Sequence, residues 1–196
     1  VDERELPTPK MELCRVCETF VPAWWLETHS QNCVFEHRID SLVHLLHDNL
    51  VEQLTLLQNE PITEYKTLTL KAQSPSSERV IDSLKELCDI AININPSEIR
   101  LTNDPGSSME DILMNPVSLT QGNERNLYDF SPRTKWNIEN VQSWQLTMKE
   151  EMEQDAGLSQ LAHDTIDLAK KKVDAVLRLD NAMTYSMKIK NEVNNW

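Results

Sequence analysis

Apolar side chains recur along much of this chain at steps of three and four residues, the spacing of a helix that buries one stripe. Ile39, Val43, Leu46, Leu50, Leu54 and Leu57 form the first such series, and no Gly or Pro interrupts the run from Ala23 to Glu60. The pattern predicts a long helix, with a break allowed just after Cys33. A second helix, from about Ser76 to Asn93, aligns Val80, Leu84, Leu87 and Ala91, and Ser74-Pro75 supplies a starting signal for it. A third, from about Trp136 to Gln154, aligns Val141, Trp144, Met148 and Met152. Gly157 marks a kink or turn. The last, from about Leu158 to Glu192, aligns Ala162, Ile166, Ala169, Val173, Val176 and Met183. None of these helices can bury its stripe alone, so three or four of them are expected to pack as a bundle.

Two stretches break the periodicity. Residues 1–10 are charged and carry Pro7 and Pro9, which predicts a disordered or extended lead-in. Residues 96–133 are polar and hold Asp-Pro-Gly and Gln-Gly-Asn breakers, which predicts a long loop. The expected order is a lead-in over 1–10, a small metal-binding unit over 11–34, a helical hairpin over 35–95, the loop, and a second hairpin over 134–196. Ser74-Pro75 and Ser131-Pro132 border the polar stretches. They read first as helix starts and second as proline-directed phosphorylation sites. The first residue is Val1 rather than Met, as expected of a piece of a longer protein.

Composition sharpens this picture. With 3 glycines against 9 prolines, the chain lacks material for many tight β-turns and leans helical. A net charge of -13 and an isoelectric point near 4.8 argue against nucleic-acid binding, because phosphate backbones reward Lys and Arg. Lys170-Lys171-Lys172 reads as a short charged face within an acidic chain. No apolar run approaches a membrane span, so no membrane partner is expected. Of the 4 cysteines, only Cys88 falls outside the cluster described next, and it reads as a small core residue. A disulfide framework is therefore not expected; a reducing compartment is, in the cytoplasm or the nucleus.

Cys14, Cys17, His29 and Cys33 carry the candidate chemistry. Cys14-Arg15-Val16-Cys17 can form a knuckle whose thiolates point at one ion, and His29 and Cys33, four apart, share one face of a helix. The spacing predicts one structural zinc ion (Zn2+) held by three sulfurs and one imidazole, with no open position for catalysis. It gives a small ββα-like C2HC finger ahead of the bundle, and a mainly α fold. Pro22 or Ala23 is the expected first helical position. Of the adjacent Trp24 and Trp25, at least one must point away from the core beneath it. Either one covers the metal and the other packs on a following helix, or one stands exposed as a protein-binding anchor. His37, His44 and His47 read as part of a polar helix face beside Glu36, Asp40 and Asp48 rather than as a second metal site.

The string Cys-Arg-Val-Cys-Glu-Thr-Phe-Val-Pro-Ala-Trp-Trp-Leu-Glu-Thr-His-Ser-Gln-Asn-Cys, residues 14–33, resembles a short zinc finger of certain AGC-group serine/threonine kinases. These are the fungal nutrient-responsive greatwall-type kinases with an N-terminal sensor domain, and the plant root-hair-elongation type. The Cys-Arg-x-Cys-Glu opening, the Val-Pro before the helix and the His-Ser ahead of the last Cys carry the likeness, and Trp24-Trp25 is similar to the fungal branch. The resemblance implies a segment upstream of a kinase domain, and the helical remainder matches only in position and character. The kinase itself is not expected in this chain. Gly106, Gly122 and Gly157 cannot build a phosphate-covering loop, there is no Asp-Phe-Gly, and His37-Arg38-Ile39-Asp40 has its Asp one place too late. The expected role is a non-catalytic regulatory or docking module whose partner is another protein or its own kinase domain. The same ligand spacing resembles the ubiquitin-binding fingers of DNA-damage-tolerance ligases. Those carry an acidic residue two places after the His, where this chain has Gln31. A ubiquitin-binding finger with a helical spacer is the alternative.

Overall fold

The computed structural model describes residues 9–58, 75–94, 130–145 and 156–195. The lead-in up to residue 8, residues 96–129 of the expected loop, Ser74, Met148 and Met152 lie outside the described residues. In chain order the elements are β1 (Met11–Leu13), β2 (Phe20–Pro22), α1 (Leu26–Gln58), α2 (Pro75–Ile92), α3 (Pro132–Ser143) and α4 (Ala156–Asn194). The fold is mainly α, with a two-stranded finger leading into the helices.

The strands pair antiparallel, with Met11 opposite Pro22, Glu12 opposite Val21 and Leu13 opposite Phe20. Pro22 therefore belongs to a strand rather than to the first helical position. Trp25 N donates to Pro22 O at 2.9 Å and Leu26 N to Ala23 O at 3.4 Å, so residues 23–25 form a tight turn before α1 begins. From Leu26 the helix runs through Cys33 without a break, because nothing in its sequence removes a donor or frees the backbone.

Contacts divide the chain into two units, Val1–Leu42 with Ala175–Trp196, and Val43–Asp174. In the first, the start of α1 meets the end of α4. Ile39, Val176 and Leu179 are buried there, and Ser186 Oγ donates to a Glu36 carboxylate oxygen.

The second unit holds the main core. Val43 and Leu50 of α1, Val80 and Leu84 of α2, Ile138 and Val141 of α3, and Ala162 and Ala169 of α4 are all buried. Each fully buried Leu or Ile contributes roughly 1.5–3 kcal/mol relative to exposure. These are the predicted stripes, and Cys88 sits among them, also buried. Gln53 Nε2 of α1 donates to Thr165 Oγ1 of α4 at 2.9 Å, a polar link within this core.

One residue departs from its predicted place. Lys172 is no part of a charged face: it is 0% exposed, while Lys170 and Lys171 stay in solvent. Its register explains this, since 172 falls between the buried positions 169 and 176 of the same helical stripe. Its Nζ donates to the carbonyls of Ala91 (2.7 Å) and Ile92 (3.1 Å) at the end of α2, and reaches His47 Nδ1 of α1 at 3.0 Å. The cation caps the negative end of α2, adding a donor to the Ile92 carbonyl and to the Ala91 carbonyl, which also accepts from Ile94 N at 3.3 Å. Burial lowers the pKa of Lys172 to about 8. Burial, then the Lys172 charge, holds His47 below its usual value against the opposing pull of Asp48.

Ser131 caps α3. Its Oγ accepts from Thr134 N at 3.2 Å and donates to the buried Thr134 Oγ1 at 3.0 Å, with Pro132 opening the helix. The helix thus starts earlier than Trp136, and Ser131-Pro132 is a helix start. Ser131→Ala is expected to cost about 1 kcal/mol, read as a lower urea midpoint with an unchanged slope. The helix also ends earlier than predicted. Trp144 has extended dihedrals (φ -62, ψ 128), so it is not part of a helical stripe. In the last two turns Ser143 Oγ donates to Glu139 O at 2.7 Å and Asn140 Nδ2 to Trp136 O at 2.9 Å.

Candidate metal centre

The finger is organised by its hairpin loop. Cys14 N donates to Thr19 O and Glu18 N to Cys14 O, both at 2.9 Å, which folds Cys14-Arg15-Val16-Cys17 into a knuckle. Glu18 takes the left-handed conformation needed to reverse the chain, φ 56. α1 supplies the other two side chains from successive turns.

The structure brings all four predicted ligands together. The donor atoms of Cys14, Cys17, His29 and Cys33 lie within 4.8 Å of one another. His29 Nε2 is 3.2 Å from both Cys17 Sγ and Cys33 Sγ. Tetrahedral ligands at about 2.0–2.3 Å from one ion would stand roughly 3.5–3.8 Å apart, so this cluster needs only a small adjustment to enclose an ion. Among the described residues it is the one group of three or more His, Cys, Asp or Glu with that capability. His37, His44 and His47 form no such group.

Electrostatics also fit a cation. Burial first, then the Cys17 and Cys14 sulfurs, push the Cys33 thiol well above its ordinary value. Burial raises Cys14 too, yet the N–H groups of Cys17 and Val16 and the Ser30 hydroxyl outweigh it and bring Cys14 down to about 7. Crowded sulfurs resist ionising together, and a shared divalent ion removes that conflict. Burial, then Lys190, holds His29 below its usual pKa, which keeps the imidazole neutral as a ligand must be.

Around the cluster, Thr19 Oγ1 lies 2.8 Å from Cys17 Sγ and Ser30 Oγ 3.8 Å from Cys14 Sγ. Such hydroxyls orient and temper the sulfurs. Their roles were not legible in the sequence, although a hydroxyl two residues past Cys17 and one residue past His29 is a signal that could have been weighed. Trp25 is buried with its ring 4.8 Å from that of His29 at 58°, so it walls the cluster. Trp24 is 63% exposed. Leu13 and Phe20 are cross-strand partners, and Met11 lies two residues along on the same face; all three are exposed, while Val21 on the opposite face is buried. Cys88, remote in sequence and buried, has its thiol pushed up to about 12 by burial and by Asp89. It is an inert core residue.

This chain, with its cysteine-histidine hairpin ahead of helices, is similar along its whole length to a segment of fungal serine/threonine protein kinases, so the likeness read from residues 14–33 extends over the whole chain. The chain is 50% identical over 218 aligned residues to serine/threonine-protein kinase RIM15 of Saccharomyces cerevisiae, a match covering 100% of this chain and 12% of that protein. It is 26% identical to both ppk18 and cek1 of Schizosaccharomyces pombe, each a serine/threonine-protein kinase, over 96% and 97% of this chain and 15% and 14% of theirs. The chain thus spans less than a sixth of the length of these relatives. No protein-family model matches it, and no solved structure does. No helix among the described residues is long and apolar enough to cross a membrane.

Proposed function

We propose that this chain is a non-catalytic, zinc-binding regulatory or docking module of a serine/threonine protein kinase. The observation that carries this reading is the match to a kinase along 100% of the chain but only 12% of that kinase. A segment held this closely, with none of the phosphate-binding or metal-binding motifs of kinase chemistry in it, serves the enzyme by binding rather than by catalysis.

Zinc is the ion that best suits the donor set. Three sulfurs and an imidazole are soft to borderline ligands in tetrahedral array, and four protein ligands leave no coordination site open. Cys14, Cys17, His29 and Cys33 would hold it. The ion would then fix the hairpin that displays Met11, Leu13, Phe20 and Trp24, apolar groups that a small finger has no internal use for. The cytoplasm or nucleus, where thiols stay reduced, suits such a site. Elemental analysis of the purified chain should return one zinc per molecule. Capture of the kinase domain of the same polypeptide should then be lost on chelation.

Trp24→Ala is expected to weaken that capture at least tenfold while leaving metal content and melting temperature unchanged, because Trp24 is 63% exposed and contributes little to the core. Unchanged capture would remove Trp24 from the docking surface. Adding ubiquitin to the same sample weighs the alternative: saturable shifts in α1 around the exposed Gln31 would favour a ubiquitin-binding finger.

A further inference from the structure

Within the Val43–Asp174 unit, α2 and α3 pack side by side and leave a groove of about 500 Å³ between them. Its α2 wall carries Asp82, Glu86 and Asp89, and its α3 wall carries Arg133, Trp136 and Asn137. Three features set it apart from an ordinary seam between helices.

First, Asn137 is only 4% exposed, and its side chain makes no hydrogen bond among the described residues although it lines the groove. A buried primary amide without a partner is costly, and proteins seldom retain one without a use. Second, Trp136, its sequence neighbour, is 58% exposed on the same rim. An indole face left in water suits a flat or cationic group. Third, the carboxylates are unevenly used. Lys85 pairs with Asp82 at 3.3 Å, while Glu86 and Asp89 enter no ion pair among the described residues. Arg133 is the remaining cation, so the groove holds three carboxylates against two cations.

We propose that the groove between α2 and α3 is a docking site for an arginine- or lysine-bearing segment of a partner protein. The cationic side chain lies across the Trp136 face and meets Glu86 and Asp89. The backbone amide of the segment pairs with the Asn137 side chain, whose carbonyl and NH2 match one peptide acceptor and one peptide donor. The excess of carboxylate over cation, in a chain of net charge -13, selects a basic rather than an acidic segment. This site is separate from the cysteine cluster and does not depend on which metal, if any, that cluster holds.

The test uses the full metal-loaded chain, labelled with nitrogen-15, and three peptides: acetyl-Gly-Arg-Gly-Arg-Gly-amide, its citrulline counterpart and its glutamate counterpart. The arginine peptide should give saturable shifts of the Trp136 indole N–H and the Asn137 side-chain NH2. The citrulline peptide, with the same shape and no charge, should bind at least fivefold more weakly, and the glutamate peptide should give no saturable shift. Glu86→Lys with Asp89→Lys should weaken the arginine peptide at least tenfold. Asn137→Leu should abolish binding and also raise the melting temperature, because it removes an unsatisfied buried amide. Equal titration by all three peptides, preference for the glutamate peptide, or undiminished binding to Asn137→Leu would overturn the proposal. So would a lower melting temperature in Asn137→Leu, which would show that the amide is already employed by the fold.

Discussion

Cys14→Ser, or treatment with a strong chelator, is expected to unfold residues 11–33 while the helices of the Val43–Asp174 unit keep their structure. The hairpin consists of two strands of three residues each, and Val21 and Pro22 are the buried residues within them. So small a piece cannot offset the entropy of ordering its backbone, at about 1–2 kcal/mol per residue. Structural zinc supplies on the order of 10 kcal/mol of apparent binding free energy in comparable fingers. Removing one sulfur of the cluster forfeits most of that. The other unit has its own buried stripes on all four helices and does not draw on the ion. Most of the helical circular dichroism should therefore survive, while amide signals from Met11 to Cys33 collapse to unfolded positions. Loss of helicity throughout would mean that the chain folds as one cooperative unit. A mutant finger that keeps its native signals would show that the ion plays no structural part.

Lys172→Ala is expected to destabilise the Val43–Asp174 unit by roughly 2–4 kcal/mol, since it opens a cavity and removes the Nζ donor shared by the α2 carbonyls of Ala91 and Ile92. Lys172→Met fills the space without the charge and should cost distinctly less. The charge leaves its own signature. The folded pKa is lowered from 10.5 to about 8, so between those values the unfolded chain binds the proton and the native chain releases it. Stability therefore rises with pH across that window, by about 3 kcal/mol in total. Below pH 8 both states are protonated and the cost of burying the ammonium is fully present. Urea unfolding of wild type and Lys172→Met at pH 7, 8, 9 and 10 follows this term, because groups remote from Lys172 cancel in the difference. A gap between the two proteins that does not change with pH would show that Lys172 is not buried as an ammonium.

The sequence made the helical stripes legible because a buried face leaves a period that composition cannot hide. Val80, Leu84, Leu87 and Ala91 are buried as their spacing requires. The cysteine cluster was legible for a similar reason: ligand geometry dictates residue type and interval at once. Lys172 was hidden by its neighbours, since a run of three lysines invites a single reading, whereas only position 172 shares the stripe of Ala169 and Val176. The early end of α3 lies in the extended backbone of Trp144, which no hydrophobic pattern records. Asn137 was beyond reach altogether. Its isolation exists only because α2, more than forty positions earlier, approaches it without offering a partner.

α1 and α4 bond across long intervals of chain, Gln53 to Thr165 over 112 positions and His47 to Lys172 over 125. During synthesis α1 leaves the ribosome long before α4 has been translated. Its apolar side must wait, exposed to the crowded cell, for a partner that arrives last. Chaperone engagement at that stage, and aggregation of nascent chains stalled before Lys172, are the expected costs of pairing α1 with α4.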